Sequence, residues 1–262
     1  MKIGISQLVW KGSLDSAFEL CRAAGYEVLE LNFTEGGDPD INLSDDGLRE
    51  IKAKAAAAGV GISSILGRYK DRGGFLTTDA ELRSMAARSL ARAIDIAAVL
   101  DAGAVLLHPG QMDASASYLE VFDIFVKEMK QIAGRAESKG VVVCIENVWN
   151  KFMLSPKEAV DLIDAIDSPA VKIYLDTANM MAYGFPEQWI RDLGQRIYRV
   201  HLKDFKRREH KFVSLMEGDT PWSEVMGALR QVGYDSYLVH EVSGEWDEQV
   251  ALAERMRQIV KM

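Results

Sequence analysis

Eight short apolar runs of β type alternate with helix-type segments along the whole chain, at about residues 2–6, 26–32, 59–65, 103–108, 140–146, 171–176, 197–202 and 236–241. This alternation constrains the fold more than any other feature. Two parallel strands can be joined only by a crossover, which is usually a helix, so a βαβα series builds a parallel sheet covered by helices. Eight such units close on themselves, and the predicted architecture is α/β, a single (β/α)8 barrel of the TIM type over residues 1–262. An open doubly wound sheet is the alternative. It calls for a Gly-rich phosphate loop after the first strand, and SQLVWKGSLDS at 6–16 offers none. Helix starts are marked chemically by Ser155-Pro156-Lys157-Glu158, by Thr78-Asp79-Ala80-Glu81 and by Thr220-Pro221. Gly25, Gly59, Gly140 and Gly233 stand where helices should end.

Four of the runs end in a metal-type ligand: Glu146 in VVVCIE, Asp176 in VKIYLD, His201 in IYRVH and Glu241 in YLVHE. In a parallel barrel all strand ends open onto one mouth, so these four side chains converge. Alternation puts Cys144 on the face of Glu146, Tyr174 on that of Asp176 and Val239 on that of Glu241, and that face points inward. Three carboxylates on one mouth repel each other and raise one another's pKa unless a cation neutralises them. With one imidazole and no thiolate they form an oxygen-rich site for one divalent ion, Mn²⁺, Mg²⁺ or Co²⁺, with Zn²⁺ also accepted.

The net charge of −8 and a pI near 5.2 argue against a nucleic-acid partner, which would need a basic stripe. Cys21 and Cys144 both fall inside predicted elements and read as reduced core thiols. MKIGISQLVW enters a strand directly without a signal-peptide core, and no apolar stretch reaches the ~18 residues of a membrane span. A cytoplasmic protein without membrane contact is expected, and a homo-oligomer is compatible with it.

The same residues carry a family resemblance. IENVWN at 145–150, LDTANMMAYG at 175–184, VHLKDF at 200–205 and HE at 240–241 resemble the xylose-isomerase-like sugar (phosphate) isomerase/epimerase superfamily, nearest its D-tagatose 3-epimerase and L-ribulose 3-epimerase branch. YEVLELNFTEGG at 26–37, the PG at 109–110 and EGDTPWSEVMGALRQVGYD at 217–235 extend the resemblance over essentially the whole chain. It implies that Glu146, Asp176, His201 and Glu241 bind one divalent metal, and that Glu146 and Glu241 also exchange protons with a small sugar or sugar phosphate.

Chemistry supports that implication independently. A cation chelated by a ketose carbonyl and the adjacent hydroxyl stabilises a cis-enediolate, which acidifies the carbon-bound proton. A carboxylate on each side of the sugar can then remove a proton from one face and return one to the other, inverting the centre. Return at the neighbouring carbon gives aldose–ketose isomerisation instead.

In the free-ketose 3-epimerases a His is expected three residues after the strand-six Asp, where it contacts substrate; here Asn179 takes that place. This departure favours a phosphorylated or otherwise different substrate. By the same resemblance Arg207 is a substrate contact, and with Lys203, Lys206, Arg208 and Lys211 it makes the loop after strand seven basic. Lys203 is the better placed of these to hold a phosphate or sugar hydroxyls. His108 ends strand four and faces either the mouth, as a substrate contact or extra ligand, or the helices. Trp10 and Trp149 follow strands one and five, where they would wall a sugar pocket or pack against loops. His240 should point under the helices, and His210 should be solvated. Lys172 and Arg199 fall on inward faces below Asp176 and His201, implying paired interior charges or an exposed barrel bottom.

Three other functions are weighed against the isomerase/epimerase. A barrel AP endonuclease needs a His-rich multi-metal site, and the chain has four His in all. A sugar dehydratase or lyase of the inosose dehydratase type uses the same metal and acid/base pair. A catalytically inactive sugar-binding barrel would be expected to have lost ligands.

Overall fold

Along each barrel strand, one phase of residues is apolar and the other mixed, and the two phases part at the sheet. In the computed structural model, which describes residues 1–71 and 73–262, Ile3 and Ile5, Leu29, Leu31 and Phe33, and Ile173 and Leu175 lie buried in the layer between strands and helices. The other phase fills the barrel, where Leu66, Ala104, Leu106, Cys144 and Tyr174 form a separate interior cluster. Cys144 and Tyr174 therefore face inward, as alternation requires, and both cysteines are buried and free.

The barrel strands are β1 (Lys2–Ser6), β2 (Val28–Thr34), β3 (Gly61–Arg68), β4 (Ala104–Leu107), β5 (Val142–Glu146), β6 (Val171–Asp176), β7 (Ile197–Leu202) and β10 (Tyr237–His240). They are parallel and close in the order β1-β10-β7-β6-β5-β4-β3-β2. Each is followed by a helix: α1 (Leu14–Ala24), α2 (Asp45–Ala58), α3 (Ala80–Leu100), α4 (Tyr118–Lys139), α5 (Pro156–Ile166), α6 (Pro186–Leu193), α7 (Trp222–Gln231) and α8 (Trp246–Lys261). No helix among the described residues is long and apolar enough to cross a membrane. β1 and β2 approach so closely that a Cβ on Gly4 would lie 2.5 Å from Val28, so only glycine fits there.

The chemical marks hold with local shifts. Ser155 and Glu158 form the reciprocal capping box of α5, and Gly25, Gly59 and Gly140 close α1, α2 and α4 in the left-handed conformation. Gly233 is also left-handed, one residue past the cap of α7. The cap of α3 is Asp79, not Thr78; its carboxylate accepts from Glu81 N and Leu82 N. Thr220 does not cap α7 through its hydroxyl. Strands β2 and β3 run two to three residues further than expected, and β10 stops one residue short of Glu241. The unexpected elements are β8 (Asp204–Lys206) and β9 (Lys211–Val213), an antiparallel hairpin in the loop after β7. Each strand is three residues long, too short for the alternation signal.

Arg199 is buried at the bottom of the barrel, with no carboxylate ion pair among the described residues. It donates to Ser63 O, Tyr198 O and Ser236 Oγ and lies 4.3 and 4.5 Å from the rings of Tyr198 and Tyr237. Neutral acceptors and aromatic faces, rather than paired interior charges, compensate it. Lys172 is half-buried.

His240 does lie under the helices. The Tyr26 hydroxyl donates to Gln249 O and sits 2.8 Å from His240 Nε2, while Val242 N donates to Nδ1. Both contacts suit the neutral Nε2–H tautomer, and burial, aided by the charge of His201, pushes the imidazole pKa down to about 3. The unfolded chain takes up this proton near pH 6.5 and the native state resists it. Stability is therefore fully present above pH 6.5 and falls as the pH drops towards 3. Melting temperatures between pH ~7 and pH ~4 should show this slope, and His240→Gln should flatten it.

Candidate metal centre and active site

Glu146 ends β5, Asp176 ends β6, His201 lies in β7 and Glu241 directly follows β10, so the four meet at the C-terminal mouth. One ligand atom from each lies within 4.8 Å of all the others. Glu146, Asp176 and His201 are fully buried and Glu241 nearly so. His201 Nδ1 is 2.9 Å from Glu146 Oε1 and 3.6 Å from Glu241 Oε2, and its ring rests 4.0 Å from that of Tyr174.

Backbone geometry aims Asp176. Asn147, just past β5, accepts from Asp176 N and donates to Asp176 O, tying the two strand ends together. Asp176 Oδ1 accepts from Ala178 N and Asn179 N, which leaves Oδ2 for the centre. Asp176 Oδ2 and Glu241 Oε1 are buried and have no hydrogen-bond partner among the described residues. The ammonium of Lys203 lies 2.9 Å from Asp176 Oδ2 as an ion pair outside hydrogen-bond alignment, and 2.5 Å from Glu241 Oε2. Buried carboxylate oxygens without donors are costly unless a cation takes them. Three carboxylates and an imidazole in one small space, with Glu241 Oε1 lacking any donor among the described residues, fit a divalent ion.

The field is uneven. Burial opposes charge on Glu146, yet the imidazoles of His108 and His201 hold its carboxyl well below the usual range. Burial and the Glu146 carboxylate push Glu241 up, and the opposing pull of His201 and Lys203 does not cancel them. His201 and Lys203 resist burial because carboxylates surround them, and both are raised. His108 faces the mouth, with Nε2 2.6 Å from Glu146 Oε2, and this contact raises it against burial.

The remaining candidates divide. Asn179 donates through Nδ2 to Asn147 O and, with Lys203 and Glu241, lines a cavity of about 680 Å³. Trp149 is pinned by a 2.7 Å bond from Nε1 to Asn179 O and, with His108, lines a second cavity of about 480 Å³. His210, expected to be solvated, stacks on Trp149 at 5.3 Å, and Phe212 packs 5.1 Å away; the hairpin folds back over the tryptophan. Trp10 packs against its neighbours instead, donating to Ser16 Oγ and meeting Trp246 edge-on.

The two basic side chains expected to hold a phosphate or sugar hydroxyls are both engaged by protein groups. Lys203 is held by Asp176 and Glu241 inside the centre. Arg207 donates to Met181 O and Gly184 O and lies over Phe185, bracing the loop after β6. Arg207→Gln strands two carbonyls, so it should destabilise the fold by about 1–3 kcal/mol. It should leave the preference between free and phosphorylated sugars unchanged, as melting curves and paired KM values will show.

The sequence reading passed over Glu30. It lies on β2, deep in the barrel, with its carboxylate 3.2 Å from His201 Nε2. A lone acid at an inward position of the apolar run VLELNF was the available signal.

Comparisons with known proteins agree with the fold. Residues 18–261 match the family model described as xylose isomerase-like TIM barrel. The chain is 25% identical over 208 residues to a 2-epi-5-epi-valiolone 7-phosphate 2-epimerase of Actinoplanes sp., covering 78% of this chain and 72% of that protein. It is 26% identical over 256 residues to a D-psicose 3-epimerase of Ruminiclostridium cellulolyticum, covering 92% and 83%. Another curated relative is matched over only 56% of its length. Among solved structures, a D-tagatose 3-epimerase-like protein superposes with a TM-score of 0.85 at 22% identity, covering 100% of this chain and 97% of that one. With a matching model over nearly its full length, a closed eightfold barrel and epimerases among its relatives, the chain belongs to the xylose isomerase-like TIM barrel family.

Proposed function

We propose that this chain is a divalent-metal-dependent sugar isomerase or epimerase in which Glu146 and Glu241 carry protons to and from a carbon beside a carbonyl. The observation that carries the reading is the pair itself. Glu146 Oε1 and Glu241 Oε2, carried by different strand ends, lie 2.9 and 3.6 Å from the same nitrogen of His201, so two carboxylates of one candidate ligand set approach a single point from separate strands. Two carboxylates placed on either side of a bound sugar can take a proton from one face and return one to the other.

Glu146, Asp176, His201 and Glu241 would hold the cation, with Mn²⁺ or Co²⁺ the best matches for this donor set. When bound, it supplies electrostatic stabilisation to the negative charge that develops on two adjacent substrate oxygens. Glu146, ionised, accepts the carbon-bound proton, and its contact with His108 steadies it. Glu241 delivers a proton to the opposite face for epimerisation. Lys203 screens the charge that accumulates on Glu241 and Asp176. Asn179 and Trp149 border the cavities beside the ligands and would meet the sugar hydroxyls and ring.

With Lys203 and Arg207 engaged, the contacts favour an unphosphorylated keto-sugar, although one relative is named for a phosphorylated substrate. A dehydratase reading draws on one observation, the raised His108 beside Glu146, which could protonate a departing hydroxyl. The test is a panel of pentoses, hexoses, cyclitols and their phosphates, incubated in D₂O with Mn²⁺-loaded protein. Deuterium at a carbon next to the carbonyl, in a product of unchanged composition, is expected. Loss of water would establish the dehydratase, and no reaction with any member would refute the enzyme reading.

A further inference from the structure

Glu30 is a carboxylate buried one layer below the candidate ligands, where desolvation makes a charge expensive. It is 1% exposed. Its oxygens accept from Ser6 Oγ of β1 at 2.8 Å and from Ser64 Oγ of β3 at 2.7 Å. The imidazole Nε2 of His201 completes the shell, 3.2 and 3.4 Å from the two oxygens. Among the described residues, no Lys or Arg forms an ion pair with it. A carboxylate retained only for packing would be expected to have such a partner or to be replaced by an apolar residue. This one spans the barrel interior, from β2 to β7, to reach the His201 ring, with the Tyr174 hydroxyl also beside it.

The two nitrogens of that ring point in opposite directions. Nδ1 faces Glu146 and Glu241, so Nδ1 is the nitrogen available to a cation, and Nε2 must then carry the proton. Glu30 accepts from Nε2, while Tyr174, whose hydroxyl lies 3.3 Å from Ser64 Oγ, supports the ring from below.

We propose that Glu30 is the positioning residue of the metal centre. Cradled by Ser6 and Ser64, it locks His201 in the Nε2–H tautomer with Nδ1 aimed at the cation. Outer carboxylates of this kind fix a ligating imidazole and increase its basicity, and their loss typically weakens metal affinity 10- to 100-fold. The inference rests on the metal-centre reading above.

The experiment is a Co²⁺ titration of the chelator-treated full-length chain at fixed pH, read by calorimetry and by the visible Co²⁺ spectrum. Glu30→Gln should weaken Co²⁺ binding by about 10- to 100-fold and alter the spectrum. In a His201→Gln background the same change should cost almost nothing, because Glu30 acts through that ring; groups that act as a unit are non-additive. Ser64→Ala, a milder change that guards against misfolding, should give a smaller loss that likewise vanishes with His201→Gln. Unchanged Co²⁺ affinity in folded Glu30→Gln, or equal losses in both backgrounds, would overturn the proposal. If Glu30→Gln does not fold, the Ser64→Ala pair decides by the same criterion. Failure of the wild-type chain to bind Co²⁺ would instead bring down the metal-centre reading itself.

Discussion

Chelator-treated protein is expected to lose all measurable turnover, and Mn²⁺ or Co²⁺ should restore it better than Ca²⁺. The expectation follows from charge and size. Four carboxylates, Glu30, Glu146, Asp176 and Glu241, surround one imidazole, and Lys203 pairs with only two of them. Glu241 Oε1 has no hydrogen-bond partner among the described residues. Ca²⁺ prefers six to eight oxygens in a loose shell, whereas four donor atoms within 4.8 Å of one another suit a smaller ion. An ion bound only by the native state also stabilises it by about 2.7 kcal/mol at a hundredfold excess over Kd, so melting temperature should rise on loading by roughly 5–10 °C. Full activity after exhaustive chelation would exclude a metal mechanism.

Glu146→Gln and Glu241→Gln should each lower kcat by at least ~10²-fold, the usual scale for losing a positioned acid or base. An amide keeps the shape and one oxygen donor of the side chain but cannot accept a carbon-bound proton. Metal content must be measured alongside, because each residue is proposed both to bind the ion and to carry a proton. KM should change less than kcat, since neither group is proposed to recognise the distant sugar hydroxyls. A Gln variant that kept near-normal turnover with metal bound would reduce that residue to a ligand and leave a one-base mechanism.

The barrel was legible because its signals repeat. Each strand is short and apolar on its outer phase, and six of the eight helices carry a chemical mark at one end, so an error of a few residues at β2, β3 or β10 leaves the topology unchanged. The convergence of the four candidate ligands was legible for the same reason: a strand end in a parallel barrel has a known address, and Glu146, Asp176, His201 and Glu241 all occupy one. Residues off the strand ends were harder to place. Lys203, two residues past His201, was the better placed basic residue of its loop, but no pattern could show that neighbouring carboxylates would capture its ammonium. Arg207 was expected from the resemblance to contact substrate, and no spacing rule could show that the loop after β6 would offer its guanidinium two carbonyls. The fold of His210 onto Trp149 depends on the β8–β9 hairpin, whose three-residue strands leave no periodicity to read. Glu30 was passed over because a deep inward acid looks prohibitive until Ser6, Ser64 and His201, all distant in sequence, are seen to surround it.

Deuterium uptake by the two Gln variants tests the paired carboxylates most directly. Each variant, loaded with Mn²⁺, is incubated in D₂O with either epimer of a substrate identified from the sugar panel. One intact carboxylate can remove a proton only from its own face and return deuterium to that face. Glu146→Gln and Glu241→Gln should therefore each exchange one epimer without inverting it, and they should select opposite epimers. Inversion by either variant at the wild-type rate, or the same epimer exchanged by both, would contradict a site built on two opposed proton carriers.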